Sequence, residues 1–235
     1  MSIYFLHIPR TSGIYIANNV IPNLVVNKVE HFASNRSVID PEKIAKSRYV
    51  SGHFGLTPLE LMDSPKVYCI FRDPVERFIS YFNYTTGIIR SRSEAYKKFD
   101  SWINGEQAEI QSNQQTKFIT GYMNFDKFNL GVNEYQRAVN NGWFIENYSL
   151  NLEDAKANID LFNCYTLDNH ESFKKDFNQD LKEHFSFTTF KNKDKANTSS
   201  NLGLEFTKSQ IRKIEELNFV DLEVYEYVQK TQKRY

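Results

Sequence analysis

The chain has 235 residues, 40% hydrophobic and 15% aromatic, enough to bury one sizeable core and consistent with a single domain over 1–235. Its 29 Lys and Arg are balanced by 29 Asp and Glu, so no bulk field draws it to nucleic acid or to a membrane surface, and anion binding must come from local placement of charge. Cys69 and Cys164 are too few and too far apart for a disulfide framework or a zinc site, and the sequence has neither a signal-peptide pattern nor about 18 uninterrupted apolar residues, so a cytoplasmic, reduced protein is expected.

Ile3–His7 reads as a short buried strand, apolar on both faces. It breaks into a polar turn and then into the apolar periodic segment Ile14–Ile21, a helix stopped by Pro22. Strand, loop and helix in that order gather backbone N–H groups and the positive end of a helix dipole at one spot, where Arg10, Thr11 and Ser12 add a charge and two hydroxyls. That spot should hold an anion. Leu24–Val29 returns as a strand, Asp40 caps a short helix with Pro41 in its first position, Arg48–Ser51 is a strand ending at Gly52-His53, and Thr57-Pro58 opens a helix to about Met62.

Val67–Phe71 is a second buried strand, and Arg72-Asp-Pro-Val-Glu-Arg-Phe-Ile-Ser80 again sets a basic residue at a strand end and a hydroxyl on the next helix. Arg72 and Ser80 are about two helical turns plus a turn apart, which lets them share one phosphate. Glu76 and Arg77 read as an exposed helix pair without chemistry. Two anion sites in one domain imply a ligand with two separated phosphate-like groups.

Helices are expected near Pro74–Thr85, Ser93–Asn104, Ser112–Thr120 and Asn133–Asn141, and the region 87–145 should build the acceptor side. Tyr81, Tyr84, Arg90, Arg92, Gln114, Gln115, Lys117 and Tyr122 stand where a sugar groove can form. Leu152–Phe162 is amphipathic, Asn163–Leu167 is a strand, and His170–His184 is a helix. Phe185–Phe190 is strand-like, Lys191–Asn201 is a polar loop placed to close over a nucleotide, and helices over about Thr207–Leu217 and Phe219–Lys230 finish the chain. Strand and helix alternate, so the fold class is α/β, with a central parallel β-sheet flanked by helices and right-handed crossovers.

His7-Ile-Pro-Arg-Thr-Ser-Gly13 resembles the 5′-phosphosulfate loop of sulfotransferases that use 3′-phosphoadenosine 5′-phosphosulfate (PAPS), and Phe71-Arg-Asp-Pro-Val-Glu-Arg-Phe-Ile-Ser-Tyr81 resembles their 3′-phosphate motif. Gly52-His-Phe-Gly-Leu56 between them is similar to the segment that carries the catalytic histidine in the carbohydrate branch, the heparan sulfate 2-O- and 6-O-sulfotransferases. Asn113-Gln-Gln-Thr-Lys-Phe-Ile-Thr-Gly121 and Tyr165–Asn169 are similar to that branch too. The resemblance implies a P-loop-like sulfotransferase fold, PAPS as donor, 3′-phosphoadenosine 5′-phosphate (PAP) as product, no metal, and a carbohydrate hydroxyl as acceptor. It also assigns roles. Donor-binding elements fall at about 3–22, 67–86 and 191–201, with Arg10, Thr11, Ser12, Gly13 and Ile14 at the 5′ end, Arg72 and Ser80 at the 3′-phosphate, and Asn197 and Thr198 on the closing loop.

His53 is the candidate general base, because imidazole titrates near neutral pH and can accept the acceptor hydroxyl's proton. Arg10 is the candidate for stabilising charge on the leaving group, at a position where the family usually has Lys. His7 reads as a packed residue on the buried strand, and Glu60 is the carboxylate fallback. A P-loop kinase would need Gly-x-x-x-x-Gly-Lys-Ser/Thr and an acidic strand end for Mg²⁺, and the sequence has neither. A non-catalytic nucleotide- or glycan-binding relative is the other alternative, with Arg10 as its one sequence hint.

Overall fold

The computed structural model describes residues 1–24, 28–31, 40–85, 92–125, 145–185 and 205–232. In chain order these form β1 (Ile3–Leu6), α1 (Gly13–Tyr15), β2 (Lys28–His31), α2 (Pro41–Ala45), β3 (Tyr49–Gly52), α3 (Thr57–Leu61), β4 (Lys66–Phe71), α4 (Pro74–Thr85), α5 (Arg92–Ile103), α6 (Glu106–Ile110), α7 (Gln114–Thr120), β5 (Tyr122–Met123), β6 (Ile145–Glu146), α8 (Leu152–Leu161), β7 (Asn163–Thr166), α9 (His170–His184), α10 (Lys208–Leu217) and α11 (Phe219–Gln232). Arg90, the expected helix at 133–141, the strand-like 186–190 and the loop carrying Asn197 and Thr198 lie outside the described residues.

Five strands pair in the order β2-β3-β1-β4-β7, every pair parallel, which is the α/β architecture expected from the alternation. Alternation along β1 divides two cores. Tyr4 and Leu6 join Val50, Val67, Cys69, Phe118, Ile159 and Val224 on one face, under α7, α8 and α11. Ile3 and Phe5 join Ile16, Val20, Tyr68, Phe173 and Phe177 on the other, under α9 and the helical turn Ile16–Val20 that follows α1. Both faces are covered, which is why β1 and β4 are near-continuous apolar runs. A smaller cluster of Phe78, Phe82, Phe99, Ile103 and Ile214 ties α4 to α5 and α10.

Register aligns Leu6 with Gly52 and with Cys69, so β1, β3 and β4 end at the same side of the sheet. The chain starts in the middle, goes to the edge at β2, returns through β3 beside β1, and then crosses to β4 on the other side of β1. Connections therefore diverge between β1 and β4, and a crevice at the carboxyl ends of those strands is where open α/β sheets bind ligands.

The first helix departs from the simple pattern. After Gly13–Tyr15 it widens into a π turn at Ile16–Val20 and closes in a 3₁₀ turn, Ile21–Asn23, that contains Pro22. Proline has no N–H for a further α turn, and Leu24 N–H closes on the Ile21 carbonyl at 3.3 Å before the chain becomes extended.

Candidate active site

The loop after β1 is shaped by its backbone. Arg10 and Ser12 have φ of 72° and 77°, while Thr11 between them stays at negative φ. Alternating handedness turns successive N–H groups to one side, the concavity that holds anions in phosphate loops. Each left-handed non-glycine residue costs about 1 kcal/mol, a strain that persists where surrounding structure enforces it. The Thr11 hydroxyl, fully buried, turns back to donate to the Ile8 carbonyl at 2.8 Å, so Thr11 offers the loop its backbone.

Ser12 is the N-cap of α1, yet its hydroxyl makes no cap bond and instead meets His170 Nε2 at 3.1 Å. The Tyr15 N–H is taken by the Ser12 carbonyl at 3.0 Å, and no N-cap side chain holds the N–H groups of Gly13 and Ile14 before it. His170 opens α9, stacked on Phe173 and edge-on to Tyr15, and nothing in its local sequence marked it for this contact. Burial, helped by Lys174 and opposed by Glu171, pushes its pKa from 6.5 down to about 4. Because the folded value lies below the unfolded one, the stabilisation is complete above pH 6.5 and is lost as pH falls toward 4. Urea titrations of His170→Phe should accordingly show a shallower loss of stability than the native chain between those limits; an identical slope would remove His170 as the cause.

Gly13 is required by close approach, since a Cβ there would overlap the His7 imidazole. Gly13→Ala should lower stability by about 1–3 kcal/mol in chemical denaturation, the cost of overpacking a rigid ring. The same His7 ring stacks on His53, centroids 4.3 Å apart.

His53 follows β3 directly and is buried, with Phe118 edge-on at 6.0 Å. Its Nδ1 lies 2.7 Å from the His7 carbonyl oxygen. A carbonyl only accepts, so Nδ1 carries the proton and the lone pair of the neutral ring resides on Nε2. That is the tautomer a proton acceptor needs.

At the end of β4 the second sequence motif folds against the first. Arg10 Nε donates to Ser80 Oγ at 3.1 Å, and the Arg10 guanidinium lies over the Tyr84 ring at 4.9 Å. Burial, and then the nearby Arg72 charge, lower the Arg10 pKa. Arg72 pairs with Glu76 at 3.2 Å, an exposed and therefore weak bridge. Two guanidiniums that feel each other's charge, one of them bonded to a serine hydroxyl, make this a locally electropositive spot whose repulsion an anion would relieve.

Arg77 corrects the expectation of an exposed Glu76–Arg77 pair. It is fully buried and donates to the Gln111 carbonyl at 2.7 Å. Burial pushes its pKa down to about 10, with the Asp221 charge acting the other way.

The α7 residues expected in a sugar groove are mostly interior. Lys117 is 8% exposed, donates to the Ile110 carbonyl at 3.1 Å, and is pushed down to about 8 by burial. Gln114 and Gln115 are buried as well, whereas Tyr84 is 49% exposed beside Arg10. Glu60 is on the exposed face of α3. Among the described residues, Asp180, Glu183 and His184 have spacing a metal could use, but they lie at the far end of α9 and Asp180 already accepts from Lys66 and Tyr68.

A family model described as the sulfotransferase family matches residues 30–228. The matched span takes in His53 and the segment from Arg72 to Ser80, and begins after the Arg10 loop. No curated protein matches the chain. Among the described residues, no helix is long and apolar enough to cross a membrane.

Proposed function

Because the chain belongs to the sulfotransferase family, we propose that it moves a sulfuryl group from PAPS to a hydroxyl of a carbohydrate. One observation carries this reading: the Arg10–Ser80 hydrogen bond, which joins two anion-binding segments with Arg72 at their junction. A donor with a phosphosulfate at one end and a 3′-phosphate at the other fits a crevice that offers curled backbone N–H groups on one side and Arg72 with Ser80 on the other. Such a donor supplies the activated sulfuryl group.

In this reading the N–H groups from Thr11 to Ile14 and the Ser12 hydroxyl hold the 5′-phosphate, and Arg72 and Ser80 hold the 3′-phosphate. Asn197 and Thr198 complete the nucleotide site from the polar loop. Arg10 stabilises the charge that develops on the leaving oxygen, and its bond to Ser80 fixes the guanidinium before the reaction. His53 accepts the acceptor hydroxyl's proton at Nε2 while its Nδ1–H remains on the His7 carbonyl. The exposed ring of Tyr84 beside Arg10 supports a sugar acceptor, whose apolar face can lie on an aromatic.

Calorimetric titration with PAP and with ATP plus Mg²⁺ tests the donor, and transfer of labelled sulfate across glycans, phenols and tyrosine peptides tests the acceptor. PAP binding with transfer to a glycan is expected. A preference for ATP with Mg²⁺ would overturn the donor, and PAP binding without transfer to any acceptor would make the protein a non-catalytic relative.

A further inference from the structure

The backbone of Arg72 is gripped by a side chain. Arg72 lies one residue beyond β4, whose last paired residue is Phe71 opposite Thr166. There the Gln115 side chain takes over: its Oε1 accepts from Arg72 N–H at 2.9 Å, and its Nε2 donates to the Arg72 carbonyl at 2.9 Å. A primary amide carries the same donor and acceptor as a peptide group, so Gln115 acts as one residue of a neighbouring strand. Turning the amide over would set like against like at both contacts. Gln115 is fully buried, so water does not compete for either bond.

Gln115 is itself fixed. Its N–H donates to Asp221 Oδ2 at 3.0 Å, while Thr116 donates to Asp221 Oδ1 through both its N–H and its hydroxyl at 2.7 Å. Asp221 thus caps α7 from another helix. The exchange is mutual, because Asn113 Oδ1, at the start of α7, accepts from Val220 N–H and Asp221 N–H at 3.1 Å. Two helix N-termini cap each other, and the peptide of Arg72 is suspended from that knot.

We propose that Gln115, anchored by Asp221, is a positioning residue that aims Arg72 and so sets the preference for a 3′-phosphorylated adenine nucleotide over a plain one. The inference rests on the donor reading above. Without the clamp the strand end loses both bonds that hold the Arg72 peptide, and the guanidinium is left to the exposed Glu76 carboxylate. Contacts at the 5′ end, which come from the loop after β1 and the start of α1, are not made by Gln115.

The test compares PAP with AMP, which lacks the 3′-phosphate, by titration calorimetry. The native chain should favour PAP about 100-fold, the scale of a charge-assisted phosphate contact. Gln115→Met keeps the volume and removes both bonds; its preference should fall to about tenfold or less with AMP affinity within about twofold of native. Gln115→Asn keeps the amide but is one methylene short of spanning both contacts, and it decides the matter if the Met variant does not fold. A folded variant that keeps the native PAP-to-AMP ratio overturns the inference, even if its melting temperature is lowered. No preference in the native chain overturns the donor reading and this inference together, so the two failures are told apart before any variant is made.

Discussion

His53→Ala should lower sulfuryl transfer by about 10²–10⁴-fold, the range for losing a positioned general base, with PAP affinity changed by less than about threefold. The separation follows from position. His53 sits on the loop after β3, and its bond runs to the His7 carbonyl and its stacking to the His7 ring, whereas the proposed phosphate contacts lie on the Arg10 loop and at Arg72 and Ser80. Alanine also removes packing against His7 and Phe118, so a second substitution is needed to separate chemistry from structure. His53→Gln can still donate to the His7 carbonyl but has no basic nitrogen. Equal losses in the two variants, with partial recovery on adding free imidazole, are the expected outcome of single-turnover assays. Native turnover in His53→Gln would rule out proton acceptance at this residue.

Asp221→Ala should lower folding stability by about 3–5 kcal/mol, the range for removing one partner from a buried charged cluster. Three hydrogen bonds from the first turn of α7 converge on this carboxylate, which is fully buried. Its charge is also felt by the buried Arg77 and Lys117. Truncation therefore strips a helix N-terminus of its cap and weakens the compensation of two interior cations in one step. In a chain of this size the loss corresponds to a fall of about 10 °C in melting temperature. Asp221→Asn, which keeps the shape and one acceptor oxygen, should lose less. A shift below about 2 °C for the alanine variant in calorimetry would show that water or a rearranged side chain replaces the carboxylate.

The sequence patterns that reported the fold well were those with a local cause. The helix expected at His170–His184 is observed with those limits, and Thr207 caps α10 through a reciprocal box with Gln210. Strands β1 and β4 were legible because burial on both faces makes them continuous apolar runs. Contacts without a local signature were not. Arg77 is charged and follows Glu76, which reads as a solvated pair, but α4 docks on the corner between α6 and α7 and swallows it. Asn113 and Asp221 cap each other's helices from 108 residues apart, and cap motifs are read from the residues that flank one helix. His170 was missed for the same reason, since its partner Ser12 lies 158 residues away. The sequence brought Arg10, His53, Arg72 and Ser80 forward as separate signals; that Arg10 and Ser80 touch required the sheet that brings β1 beside β4.

The mutual cap between α7 and α11 also bears on how the protein is made. Gln115 waits for Asp221, which follows it by 106 residues. At about 5–20 residues per second of synthesis the interval is roughly 5–20 s. During that time Arg72, one residue beyond β4, lacks a clamp fixed by its final anchor. The grip on the Arg72 backbone is thus completed only after α11 has been made, although both of its own contacts come from residues up to 115.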